Sequence, residues 1–167
     1  ALRRLLDPTP PTIEVRRVFT EKCSVAAISE AVDASQVLDW YSAAMAEIDA
    51  VVVETTGPPG GLYDNELFTE GRGVMTVYVP TATAPSTERI RPMTLQPIEL
   101  AVTVHQGPHD DIDVTYGALG VYVEANGLAI AGPVREVYAV GPRDTEDSTL
   151  WRTEIGWPVF VASTPTQ

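Results

Sequence analysis

Val37, Trp40, Tyr41, Ala44, Met45 and Ile48 are spaced three and four residues apart, a single apolar stripe that predicts a helix. Asp33 and Gln36, just ahead of the stripe, form the D-x-x-Q pattern of a capping box and mark where that helix opens. A second stripe runs through Ile112, Tyr116, Leu119 and Val123. It follows Asp110, Asp111 and Asp113, whose charges suit the positive end of a helix, and closes at Asn126-Gly127, a good C-cap. Elsewhere the period shortens to two. Ile98, Leu100, Val102 and Val104 alternate and predict a strand with one apolar face. Residues 12–18 and 23–30, joined by Thr20-Glu21-Lys22, predict a hairpin. Further strands are predicted from Leu62-Tyr63, at 74–79 closed by Pro80, and at 89–95, 134–140 and 151–160. Gly57 to Gly61 reads as a turn, and the Ala-, Thr-, Pro- and Ser-rich stretch 81–87 as a linker.

The elements come twice. Gly57-Pro58 followed by Tyr63 recurs as Gly132-Pro133 followed by Tyr138, an offset of 75 residues that also carries Tyr41 onto Tyr116 and Ala43 onto Ala118. Val79-Pro80 answers Trp157-Pro158 with three residues more, a loop difference. Each copy reads strand-strand-helix-strand-strand. Repeat one spans 12–80 and repeat two 87–158. Together they predict an α+β domain over 12–160, a mostly antiparallel sheet with two main helices related by a pseudo-twofold axis. A crevice at such a junction is a natural place for a small ligand. Leu2-Arg3-Arg4-Leu5-Leu6, running into Asp7-Pro8-Thr9-Pro10-Pro11, reads as the end of a helix stopped by prolines, so 1–11 is a connector; 161–167 is a tail.

Composition narrows the function. With 167 residues, 44% hydrophobic and 20% charged, the chain is that of a globular protein. A chain of this size buries roughly 70% of its unfolded surface, so a core forms without staples. No apolar run is long enough to span a bilayer, and the lone Cys23 cannot form an internal disulfide, which fits a cytoplasmic setting. A net charge of −12, from 23 acidic against 11 basic residues, argues against an unaided grip on nucleic acid. The acid excess serves either solubility or a cationic partner.

Glu154 is the leading candidate for chemistry. It lies in Trp151-Arg152-Thr153-Glu154-Ile155-Gly156-Trp157-Pro158, where strand alternation separates Arg152, Glu154 and Gly156 from the tryptophan face. Two readings stand side by side: Glu154 points to water or pairs with Arg152, or it lines an aromatic cavity that Gly156 opens, where it would attract a lipophilic cation. The repeat-related Tyr63 and Tyr138 are either cavity walls or core tyrosines; Tyr78, Trp157 and Phe68 are further wall candidates. His105 and His109 lie at a helix start with no zinc-type ligand spacing, so neither a metal nor a cofactor is expected. There is no G-x-S-x-G, phosphate loop or dinucleotide fingerprint.

Four segments carry a resemblance: Val102-Thr103-Val104-His105-Gln106-Gly107-Pro108, Tyr116-Gly117-Ala118-Leu119, Gly132-Pro133-Val134-Arg135-Glu136-Val137-Tyr138 and Thr153-Glu154-Ile155-Gly156-Trp157-Pro158. In this order the chain resembles the GyrI-like ligand-binding superfamily, which includes the effector-binding domains of MerR-family multidrug-sensing regulators. The resemblance implies a duplicated strand-helix-strand-strand fold with a cavity at the junction. It also implies an acidic residue at Glu154 that neutralises aromatic cations, and a tyrosine at Tyr138 that stacks on them. Residues 1–11 would then end a linker helix following a DNA-binding domain, in a homodimeric full-length regulator. Some relatives are similar to hydrolases that open strained cyclopropane rings; there Glu154 and Tyr138 would activate water. A third reading, an acidic module that inhibits a protein partner, needs neither residue.

Overall fold

The computed structural model describes residues 13–162, so the expected connector 1–11 and most of the tail lie outside the described residues. The strands are β1 (Arg16–Phe19), β2 (Cys23–Asp33), β3 (Gly60–Tyr63), β4 (Arg72–Pro80), β5 (Arg91–Leu95), β6 (Glu99–Gln106), β7 (Leu128–Ile130), β8 (Val134–Val140) and β9 (Arg152–Val161). The helices are α1 (Val37–Asp49), α2 (Asn65–Thr69) and α3 (Ile112–Ala125). The sheet runs β1-β6-β9-β8-β3-β4-β2-β5, with β7 paired to the far end of β9, and every pairing is antiparallel. This is the expected α+β architecture with two main helices. Among the described residues no helix is long and apolar enough to cross a membrane.

The centre of the sheet is the pairing of β3 with β8, in the register Gly60↔Val137, Gly61↔Glu136, Leu62↔Arg135. Under the 75-residue offset the outer two pairs exchange and the middle pair maps onto itself. The pseudo-twofold axis therefore passes between Gly61 and Glu136. The same offset carries the first residue of α1, Val37, onto that of α3, Ile112, and the first residue of β1, Arg16, onto that of β5, Arg91.

That last correspondence corrects the predicted hairpin. β1 does not pair with β2; it pairs with β6 of the second copy, from Arg16↔Val102 to Phe19↔Glu99. Thr20, expected in the hairpin turn, instead binds the start of β6, its N–H donating to Ile98 O and its Oγ1 accepting from Ile98 N–H, both at 2.9 Å. β5 makes the reciprocal crossing onto β2. Local patterning shows that two strands are adjacent in sequence, whereas β1 takes its partner from the other copy and β2 lies between β4 of its own copy and β5 of the other.

The capping box is also absent. Asp33 makes no side-chain cap; it pairs with Arg72 at 2.9 Å, its cross-strand neighbour, and the chain enters α1 through a short 3-10 turn at Ala34–Gln36. The C-cap of α3 is as expected, with Gly127 left-handed at φ 63°. β6 buries Leu100 and Val102 on one side and Ala101, Thr103 and His105 on the other, because it is an inner strand. α2 and β7, at five and three residues, are too short to leave a period in the sequence.

Both helices lie on one face of the sheet. α1 packs Ala44, Met45 and Ile48 over Ile28, Val77 and Val79. α3 packs Leu119 and Val123 over Ala101, Ile155 and Val159. Gly60 and Gly61, expected in a turn, are strand residues, and their bareness has a structural use. The Tyr78 ring lies against Gly60 on the helix-free face, and the Tyr63 ring folds over Gly61 on the helix face. A Cβ at residue 60 would stand 2.5 Å from Glu136 O and collide with the Tyr78 hydroxyl. Gly60→Ala should therefore lower stability by about 1–3 kcal/mol through overpacking. Gly117→Ala, in α3 with nothing within 4 Å of the new methyl, should raise it by up to about 1 kcal/mol. Urea denaturation of the two variants measures both signs.

Candidate functional site

Above the central strands the two helices stand apart, and a cavity of about 720 Å³ opens between them. Its origin is visible in the register. The residues of β3 and β8 that face the helices are Gly61 and Tyr63 on one strand and Val134, Glu136 and Tyr138 on the other. Where each copy would place a core side chain nearest the axis, one has glycine and the other a carboxylate. The hydroxyls of Tyr63 and Tyr138 hydrogen-bond to one another across the axis. From above, α1 brings Tyr41, edge-on to Tyr138 at 5.4 Å, and α3 brings Tyr116, tilted 5.7 Å from Phe68 of α2. The wall is completed by His109 and Trp151, whose rings lie 5.5 Å apart. The loop carrying Trp151 is tied to α1 by Arg143–Asp49 at 2.7 Å and internally by Trp151 Nε1 donating to Thr145 O at 3.0 Å.

Glu136 retains some accessible surface and lines this cavity. Burial lifts its pKa to about 7, opposed by the Tyr116 hydroxyl nearby. That hydroxyl is itself buried without a well-formed hydrogen bond. Burial, then the Glu136 charge, drives Tyr116 far above the usual phenol range. Tyr41 is pushed up to about 12 by burial, partly offset by Arg143. Tyr63 and Tyr138 are raised well above 10 for the same first reason. His109 is lowered by burial and by His105, with Asp110 opposing. At neutral pH the cavity thus presents four protonated phenols, a neutral imidazole and a carboxyl poised at its titration point. That combination suits a flat apolar cation, met by rings on their faces and by one compensating charge.

The structure brings together Tyr63, Tyr138 and Phe68 of the expected site residues; Phe68 is 57% exposed, at the mouth. Three others lie elsewhere. Glu154 is the cross-strand neighbour of Val104 and Val137 and faces away from the helices, because Ile155, not Glu154, is opposite Glu136. It lines a separate trough of about 580 Å³ and its ion-pair partner is Arg16, at 3.8 Å, rather than Arg152. Tyr78 is buried on that same helix-free face. Trp157 lies behind the wall, edge-on to Tyr116 at 6.1 Å, its Nε1 donating to Asn65 Oδ1 at 3.2 Å.

Sequence reasoning did not single out Glu136, Tyr41, Tyr116 or His109 for the cavity; Trp151 drew notice only as one of two tryptophans flanking the Glu154 strand, in the manner of aromatic-rich drug pockets. The 75-residue offset makes Glu136 the mate of Gly61, but its place on the axis follows only from the register of β3 with β8, in which the two mates are also cross-strand partners. His105 has a structural role, bonded to Thr115 Oγ1 at 2.7 Å and Pro108 O at 2.9 Å, and His109 Nε2 meets Thr153 Oγ1 at 3.1 Å. Among the described residues no three His, Cys, Asp or Glu side chains converge to hold a metal ion.

No curated protein matches the sequence significantly. Among solved structures, EcmrR is similar in two forms. The EcmrR–DNA complex seen by cryo-electron microscopy gives 21% identity and a TM-score of 0.78 over 96% of this chain and 62% of that one. This chain therefore spans under two thirds of that protein's length. The EcmrR C-terminal domain gives 22% identity and a TM-score of 0.74, over 90% of this chain and 99% of that domain. SAV2435 bound to tetraphenylphosphonium follows at 15% identity and 0.61, covering 88% of this chain and 94% of the other. A hydrolase from Listeria innocua, encoded by lin2189, gives 15% and 0.58, covering 88% and 92%. Likeness at these identities establishes a shared fold. The sequence itself goes further: residues 22–159 match the model of the GyrI-like small molecule binding domain, and the chain belongs to that family.

Proposed function

We propose that this domain is the effector sensor of a MerR-like transcriptional regulator and takes a lipophilic aromatic monocation between its helices. The observation that carries the reading is the carboxyl of Glu136 set among four tyrosines in a cavity large enough for a drug-sized molecule. EcmrR in complex with DNA and SAV2435 with tetraphenylphosphonium support it as relatives in fold. The net charge of −12 fits a protein whose DNA contacts are made by another segment. Glu136, rather than Glu154, is the counter-charge, since only Glu136 shares the cavity with the aromatic rings.

A second reading is favoured by one feature. A carboxyl titrating near 7 beside a tyrosine pair is matched to general-base work, and the Listeria hydrolase shares the fold. A titration with tetraphenylphosphonium, followed by cyclopropane-bearing electrophiles with mass analysis of the recovered ligand against a protein-free control, separates the two. Unchanged mass supports the sensor; a hydrated product supports the hydrolase.

For the sensor, Glu136→Gln should weaken tetraphenylphosphonium by about ten- to a hundredfold, as for loss of a charge-assisted partner. Glu154→Gln should change it less than about twofold, since a partly exposed ion pair contributes little. The wild-type affinity should fall about tenfold from pH 8 to pH 6, because protonation near 7 removes the counter-charge, and Glu136→Gln should show no such fall. Tryptophan fluorescence, with Trp151 in the wall, reads all three.

The same group sets a pH dependence of stability. The folded pKa of Glu136 lies above its unfolded value of 4.5, so the folded form holds the proton more tightly. Its contribution is full below 4.5 and is lost as pH rises through about 7. At pH 8, Glu136→Gln should therefore be more stable than wild type by up to roughly 3 kcal/mol, and at pH 4 nearly equal to it. Urea unfolding at the two pH values tests this; a difference independent of pH would reject the shifted carboxyl.

A further inference from the structure

Part of the cavity wall, on the two helices and the two central strands, repeats itself across the axis. Val37 and Ile112, Tyr41 and Tyr116, and Tyr63 and Tyr138 all line it, and each pair is separated by the 75 residues that relate the copies. α1 and α3 thus offer the same ledge from opposite sides, an aliphatic residue followed four positions later by a tyrosine, on one helical face. Each tyrosine ledge is backed by a second ring: Tyr138 at 5.4 Å beside Tyr41, and Phe68 at 5.7 Å beside Tyr116. The pattern is broken at the self-mapped position, with Gly61 facing Glu136, and around the rim, where Phe68, His109 and Trp151 have no like residue 75 positions away. One carboxyl therefore stands beside the axis, between two tyrosine ledges that are paired across it. Its charge acts on the phenols of both ledges, Tyr41 as well as Tyr116. Asp110 also lines the cavity but is exposed, so water screens it.

We propose, building on the cation-sensing reading, that the cavity selects monocations whose positive centre lies between two equivalent aromatic arms, the centre beside Glu136 and one arm on each ledge. A cation with its charge at one end of a rigid aromatic rod meets a conflict. Seating the charge at the carboxyl leaves one ledge bare, and covering both ledges draws the charge away from Glu136. A cation with the charge in the middle satisfies both at once.

Two isomeric ions of identical composition and charge test this directly: dibenzyldimethylammonium, with nitrogen between two phenyl arms, and (biphenyl-4-ylmethyl)trimethylammonium, with nitrogen at one end of the same carbon count. Isothermal titration of the wild-type domain should favour the dibenzyl ion by roughly three- to tenfold, the range expected for one additional aromatic contact. Tyr41→Ala and Tyr116→Ala should each weaken the dibenzyl ion, by factors within about threefold of one another given the matched ledges. Equal affinity of the two isomers, or dependence of the dibenzyl ion on one tyrosine alone, would overturn the proposal. The wild-type comparison needs no variant, so a poorly folding mutant does not block it. Glu136→Gln keeps the two ideas apart. If it leaves both isomers unaffected, the cation reading fails and this inference with it; if it weakens both while the isomers bind alike, the two-arm inference alone falls.

Discussion

The antiparallel pairing of β3 with β8 about Gly61 and Glu136 is the constraint on which the remaining structure depends. Because residue 61 has no side chain, the Tyr63 ring folds back over its own strand and its hydroxyl reaches that of Tyr138 across the axis. The same bareness leaves space above the sheet centre. Each helix then packs over its own half, α1 on the first copy and α3 on the second, and neither has a core side chain to meet at the middle. A cavity follows from the geometry of duplication plus one glycine. The chemistry of the cavity follows from what the second copy carries at the equivalent place, a glutamate.

The exchange of leading strands explains why two copies make one sheet rather than two loosely joined modules. β1 adds to the second half and β5 to the first, so each copy is completed by a strand from the other. The central β3–β8 seam is thereby supported at both outer edges, and the relative placement of the two helices is fixed by three inter-copy pairings rather than one. The edges themselves differ. β5 carries Pro92, which removes a donor and is tolerated only where a strand has an edge or end position. β1 carries Arg16 and Arg17, charges that discourage further strand addition.

The repeat, both long helices and most strands were legible in the sequence because their periods run over many residues. What was not legible were choices among partners. Asp33 sits where a cap belongs, but Arg72 lies directly opposite on β4 and takes the carboxylate. The segments 12–18 and 23–30 are hairpin-like in pattern, yet Thr20 is bonded to Ile98, 78 residues away. The site divides along the same line. In Thr153-Glu154-Ile155-Gly156-Trp157 the apolar alternation is clean, and the structure turns Glu154 to the helix-free face, where it lies beside Arg16. In Val134-Arg135-Glu136-Val137-Tyr138 polar and apolar residues fall on both faces, so alternation cannot say whether Arg135 or Glu136 looks toward the helices. Only the register with Gly61 decides that, and register is a long-range property.

Under the cation-sensing proposal, the hydrogen bonding around Glu136 is what would set the preference of the cavity. Tyr63 and Tyr138 bond to each other, Tyr41 leans edge-on against Tyr138, and the Tyr116 hydroxyl is near the carboxyl without a well-formed bond to it. The carboxyl is thus surrounded by phenols yet lacks the two or three donors that would hold it ionised at low pKa, which is why burial dominates. A neutral ligand entering this space would displace water and deepen the desolvation of the carboxylate, favouring its protonation. A cation reverses that: its charge compensates the carboxylate while the rings cover its apolar surface. In the proposed cation-sensing reading, discrimination between neutral and cationic guests would arise from an unfinished hydrogen-bond shell, and adding donors to complete that shell would weaken the preference even though the cavity kept its shape.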